Sequence, residues 1–119
     1  MLEQLVALAL IAWGSLVHVP ITIEYYEKDN MDGLAATWYY PNDSCYIGVM
    51  KEQFSALSTN YQQSIIVHEV GHCLGLNHYG DCNNNRSIMG CAVLGYVTDY
   101  DRFMLTPKYR ITVGGWSYD

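Results

Sequence analysis

Three histidines limit what this chain can fold into. They stand in the segment His68-Glu69-Val70-Gly71-His72-Cys73-Leu74-Gly75-Leu76-Asn77-His78. His68 and His72 are four residues apart. On a helix that is about one turn, so both side chains share a face at the separation two ligands of one metal ion need. Glu69 then lies about 100° round from His68, able to reach water on that ion without entering the ligand set. Gly75 lets the chain leave the helix and turn back, so that His78 arrives from outside as a third ligand. Three neutral imidazoles leave one tetrahedral position for water, the mark of a catalytic site for one Zn2+ rather than a closed structural one.

A bare pair of histidines flanking a glutamate is a weak signal. Adding Gly75 and His78 makes five specified residues, and chance supplies that match at roughly one position in ten million. The competing reading, an amphipathic helix whose histidines merely sit at its surface, is the lesser one. A zinc ion held there would lower the pKa of water toward about 7 and polarise a carbonyl. Glu69 would take the water's proton during attack and hand it to the leaving amine.

The remaining residues predict one α+β domain over positions 1–119, with no repeat, low-complexity tract or linker. Residues 3–13 are strong helix formers, apolar almost all round, which predicts a buried helix ended by Gly14-Ser15. A signal peptide cut near Ala12-Trp13-Gly14 is the alternative; Glu3 and the lack of Lys or Arg in this stretch favour the helix. Strands are expected over residues 19–26, opened by Pro20, over 34–40 and over 45–50. Thr59 and Gln62 have capping-box spacing before a helix over 61–74, with Gly75 as its left-handed stop. An Asn-rich loop spans 77–86. A short helix over 100–105 follows Thr98, with Asp101 three residues on and Pro107 as its end.

The histidine segment resembles the extended zinc signature of the metzincin metalloproteases, and Ser87-Ile88-Met89-Gly90 resembles their Met-turn, whose methionine lies beneath the zinc. Met89 taken alone would be a core gap-filler. Trp13, Pro20 and the segment Leu34-Ala35-Ala36-Thr37-Trp38-Tyr39-Tyr40-Pro41 are similar to matrixin catalytic domains. The likeness covers about residues 5–105, and it is specific from His68 to Met89 and loose elsewhere. It implies a small zincin-like domain: a short, mixed, twisted sheet, an N-terminal helix, an active-site helix and a short C-terminal helix after the Met-turn. An upper part of about residues 1–75 would stand over a lower part of about 76–119. It implies an antiparallel edge strand carrying Leu34, Ala35, Ala36 and Thr37 that pairs with a peptide substrate. It also implies a pocket wall near Ala92, with Tyr96 as either its rim or a core aromatic. The chain departs from the matrixin pattern in several ways. Its residues start at the first helix, without the matrixin strand or zinc-blocking cysteine segment expected before it, and they carry no His/Asp-rich loop; Tyr79 follows the third histidine where the metzincin families carry other residues. The sheet should therefore have three or four strands. Asp29, Asp32 and Asp43 read as solvated turn residues rather than a calcium site, and no second zinc is expected.

Cys45, Cys73, Cys82 and Cys91 allow three pairings. The favoured one joins Cys82 to Cys91 across the loop into the Met-turn, and Cys45, at the head of a strand, to Cys73 on the active-site helix. The alternative is four reduced cysteines. Disulfides or a metal would be useful staples in so small a domain, and they predict a secreted or extracellular setting. Twelve acidic against six basic residues give a net charge of −6, which argues against nucleic acid and anionic membrane surfaces. No apolar run is long enough to span a membrane. His18 reads as a half-buried structural residue. Together these readings predict a monomeric zinc endopeptidase acting on peptide or protein substrates. The alternatives are a zinc-stabilised binding domain and a zinc amidase acting on non-protein amides. An intact Glu69 favours an enzyme, since a structural site needs no base beside its water.

Overall fold

The β-branched stretches pair into one mixed sheet, and the helices cover one of its faces. The structure, a computed structural model, describes residues 2–26, 35–39, 44–78, 86–90, 94 and 96–105. In chain order these form α1 (Leu2–Trp13), a 3-10 turn (Gly14–Leu16), β1 (Ile21–Tyr26), β2 (Ala35–Tyr39), β3 (Cys45–Met50), α2 (Lys51–Ser55), α3 (Thr59–Cys73) and α4 (Asp99–Met104). Leu34, Ala92, the acids at 29, 32 and 43, and the Cys82–Cys91 pairing lie outside the described residues.

Among the described residues the sheet has three strands in the order β1-β3-β2. β1 runs parallel to β3, with Ile23 opposite Ile47, and β2 runs antiparallel to it, with Thr37 opposite Ile47. Because side chains alternate along a strand, Ile23, Ile47 and Thr37 fall in one row across the helix-covered face. Cys45, Ile47 and Val49 are buried on that face. On the other, Thr22 and Glu24 are exposed, and the Tyr46 hydroxyl donates to Glu24 Oε2 at 3.5 Å.

Sequence and structure part company at three places in this scaffold. α1 is buried only along Leu5, Ala9 and Trp13, while Leu8 and Ile11 are exposed. Among the described residues α1 packs chiefly on α3, so a single stripe at i, i+4 and i+8 is sheltered. The cap of α3 is Ser58, whose Oγ accepts from Tyr61 N, and Thr59 is already helical. The capping box expected of Thr59 and Gln62 does not form, because the Gln62 amide donates instead to Phe54 O at 2.8 Å, on the unforeseen helix α2. His18 is exposed rather than half-buried, with Nδ1 turned to Leu16 O at 3.0 Å.

Two long-range links fix α3. The Trp13 indole donates to Val67 O at 2.9 Å, so the largest buried side chain of α1 is held on the middle of α3. Cys45 and Cys73 form a disulfide with Cα atoms 5.7 Å apart, joining the head of β3 to the last residue of α3. By the chain-entropy model a bridge over 28 residues of sequence contributes about 3–4 kcal/mol.

Helix α3 also comes close to its neighbours at Gly71. A Cβ there would lie 2.6 Å from Met89 Sδ and 3.0 Å from Trp13 Cζ2. Gly71→Ala gains up to about 1 kcal/mol in helix propensity, but overpacking costs about 1–3 kcal/mol. The thioether can shift aside, whereas the Trp13 ring is pinned by its hydrogen bond, so the clash should win. A thermal melt of the metal-free protein should show Tm lowered by about 4 °C or more; an unchanged or raised Tm would contradict this packing.

Candidate metal centre

α3 supplies His68 and His72, both buried, from one face. Their Nδ1 atoms lie 2.9 Å from Ile88 O and 2.8 Å from Leu76 O. A carbonyl oxygen only accepts, so in each ring Nδ1 carries the proton and Nε2 keeps its lone pair. Those backbone carbonyls therefore set the tautomer a metal requires.

The end of the helix delivers the third imidazole. Leu76 N donates to Gly71 O at 3.1 Å and Gly75 N to His72 O at 3.0 Å, the paired bonds of a Schellman motif. Gly75 has φ +108°, a conformation that glycine adopts without a Cβ penalty. The reversal brings His78 back, exposed, so that the ring centroids of His68, His72 and His78 lie 4.8–5.3 Å apart. Their ligand atoms all fall within 4.8 Å of one another. Nitrogens on a tetrahedral zinc stand about 3.3 Å apart, a difference that the exposed His78 can close. Three imidazoles suit zinc, copper, nickel or iron; the three histidines form a place for a metal ion without naming it.

Burial holds the His68 imidazole below its ordinary value of 6.5; Glu69 and the Ile88 carbonyl push it back up, and His72 and His78 lower it further. The ring is thus neutral and ready to ligate at neutral pH. Since the folded chain resists this protonation, the unfolded chain binds more protons once pH falls through about 6.5. The contribution is fully present above that value and is lost as pH drops toward the lowered folded one. Urea midpoints of the metal-free protein should therefore be lower at about pH 5.5 than at about pH 7.5, and the drop should shrink in His68→Asn; a drop as large in that variant would show that His68 is not its source.

Beneath the histidines lies the turn of residues 87–90. Asp101 of α4, only 1% exposed, organises it. Its carboxylate accepts from the Ser87 hydroxyl, from Ile88 N at 3.1 Å and from Thr98 N at 3.0 Å, while Ser87 Oγ accepts from Met89 N at 2.9 Å. Ile88, so held, presents its carbonyl to His68. Met89 is buried against α3 at Gly71, next to His72. The Thr98 and Asp101 spacing read before α4 turns out to be a capping box, with Thr98 as the N-cap, and Arg102 donates to Ala12 O at 2.9 Å, tying α4 to the end of α1.

The buried Glu69 carboxylate is not one of the clustered ligands. Its Oε2 lies 3.8 Å from His68 Nε2 and its Oε1 accepts from Thr37 Oγ1 at 2.7 Å. Of the residues read as a substrate strand, Ala35, Ala36 and Thr37 lie half-buried on β2, an outer strand among the described residues. Tyr96 is 57% exposed, which removes the core-aromatic reading. The sequence reading missed the Ile88 and Leu76 carbonyls on His68 and His72, the Thr37 hydroxyl on Glu69, and the joining of Ser87 to Asp101. Only the Thr98-x-x-Asp101 spacing hinted at the last of these. No protein family, curated protein or solved structure matches the chain.

Proposed function

We propose that this protein is a zinc-dependent endopeptidase with a small zincin-like domain of the metzincin type. His68, His72 and His78 are its metal ligands and Glu69 is its general base. One observation carries the reading: a buried carboxylate stands beside three convergent imidazoles without being one of their number. A closed structural site has no use for that group. When bound, zinc acidifies water toward a pKa of about 7 and polarises a carbonyl oxygen.

The rest is the work of side chains. Glu69 accepts a proton from water at Oε2 while the water oxygen bonds to the peptide carbonyl carbon. It then delivers that proton to the amide nitrogen as the C–N bond breaks, leaving a free amine and a carboxylic acid, whose remaining proton is lost to solvent at neutral pH. The outer position of β2, with the small side chains of Ala35 and Ala36, supports pairing of an extended peptide with that strand. The Cys45–Cys73 disulfide supports work in an oxidising, extracellular setting, and a monomer suffices because one chain supplies all three ligands. Among the described residues no helix is long and apolar enough to cross a membrane.

The test is cleavage profiling of a peptide library by the purified zinc form beside its Glu69→Gln variant. Cuts made by the parent and missing from the variant are expected. A library left whole by both would favour a zinc-stabilised binding domain, or an amidase whose amides are not peptides.

A further inference from the structure

We infer that Thr37 is a positioning residue for Glu69, an inference that rests on the endopeptidase reading for its catalytic consequence but on geometry for its structural one. Thr37 sits opposite Ile47 in β2, on the sheet face turned to α3. Its Oγ1 lies 2.7 Å from Glu69 Oε1 and 3.4 Å from Glu69 O. A hydroxyl has one proton to give, and the shorter contact, to a carboxylate, takes it.

A glutamate carboxylate turns easily about its last torsion, which has broad, two-fold preferences. The Thr37 hydroxyl removes that freedom by anchoring Oε1. Oε2 is then left on the side of His68 Nε2, at 3.8 Å, where proton transfer would occur. Anchor and base come from different elements, one from the strand and one from the helix. The consequence is specific to this arrangement: the strand proposed to bind the substrate backbone also aims the base, so seating a peptide on β2 and orienting Glu69 depend on one residue. Thr37 therefore acts through Glu69, and its side chain is not a substrate contact.

The test compares Thr37→Val, which keeps shape and strand propensity but loses the hydroxyl, with Thr37→Ser, which keeps the hydroxyl. Thr37→Ala serves as a second hydroxyl-free variant should valine impair folding. In the zinc-loaded enzyme, Thr37→Val should lower kcat by about 10- to 100-fold, with KM and zinc affinity within about twofold of the parent. Thr37→Ser should stay within about threefold in kcat. Crystal structures of metal-free and zinc-bound Thr37→Val supply a readout independent of activity, and the Glu69 carboxylate should be turned or split between two orientations. An undisturbed carboxylate with parental kcat overturns the inference, as does a serine variant as impaired as the valine one. A parent that cuts no amide, with a carboxylate that still turns in Thr37→Val, would defeat the endopeptidase reading while sustaining the positioning role.

Discussion

Glu69→Gln should abolish peptide hydrolysis to within assay background, a loss of about 10^3-fold or more, with zinc still bound at parental affinity. Removal of a positioned general base costs about 10^2- to 10^4-fold, and in the proposed mechanism the same carboxylate both takes and returns the proton. The substitution is nearly isosteric, and the amide oxygen can still accept from Thr37 Oγ1, which now reaches Oε1 at 2.7 Å. What the amide lacks is basicity. Zinc affinity should hold because the clustered ligands are His68, His72 and His78, and each survives. Parallel zinc titration and kinetics separate the two effects. Hydrolysis that continued at near the parental rate would sink the general-base assignment, and zinc lost together with activity would make Glu69 a ligand. Chelation should silence the parent, and added zinc should restore it.

The parts of this site that were legible in the sequence are those whose causes are local. His68 and His72 converge because a helix repeats about every 3.6 residues, and Gly75 marks the reversal because few residues adopt its φ of +108°. Cys45–Met50 is a strand by its own composition, and Thr98 announces α4 through its box with Asp101. Even the Cys45–Cys73 bridge followed once that strand was set against that helix. Where two local signals competed, tertiary structure decided. Ser58 and Thr59 are both acceptable caps, and the choice fell to Ser58 because Gln62 reaches back to Phe54 O. α1 looked buried by composition, but how much of a helix is covered depends on its neighbours. The Thr37–Glu69 contact spans 32 residues and the Ser87–Asp101 contact 14. Neither leaves a periodic trace, since a single hydroxyl meeting a single carboxylate has no spacing rule.

Asp101→Ala should be the most damaging substitution away from the proposed metal ligands and base. The carboxylate is buried and accepts from Ser87 Oγ, Ile88 N and Thr98 N. Orphaning a buried donor costs about 1–3 kcal/mol; with some relief from entering water, the total loss should reach about 3–5 kcal/mol. Against the 5–15 kcal/mol or so that holds most domains folded, that is a large share. α4 has six residues and is too short to persist on propensity alone, so losing its box should also loosen the Arg102 contact with Ala12 O. The effect should reach the metal because Ile88, released from Asp101, no longer fixes the carbonyl that accepts from His68 Nδ1. Outer partners of this kind change metal affinity by about 10- to 100-fold. Under the proposed zinc binding, bound zinc would itself add stability through mass action, so the two losses must be measured apart, by urea unfolding of the metal-free protein and by zinc titration at a concentration of urea that leaves it folded. Asp101→Asn, which keeps one acceptor oxygen but turns an NH2 group toward a donor, should fall between the parent and alanine on both measures. If Asp101→Ala weakened folding yet bound zinc as tightly as the parent, the turn would be a fold element only, and His68 would be oriented by α3 without it.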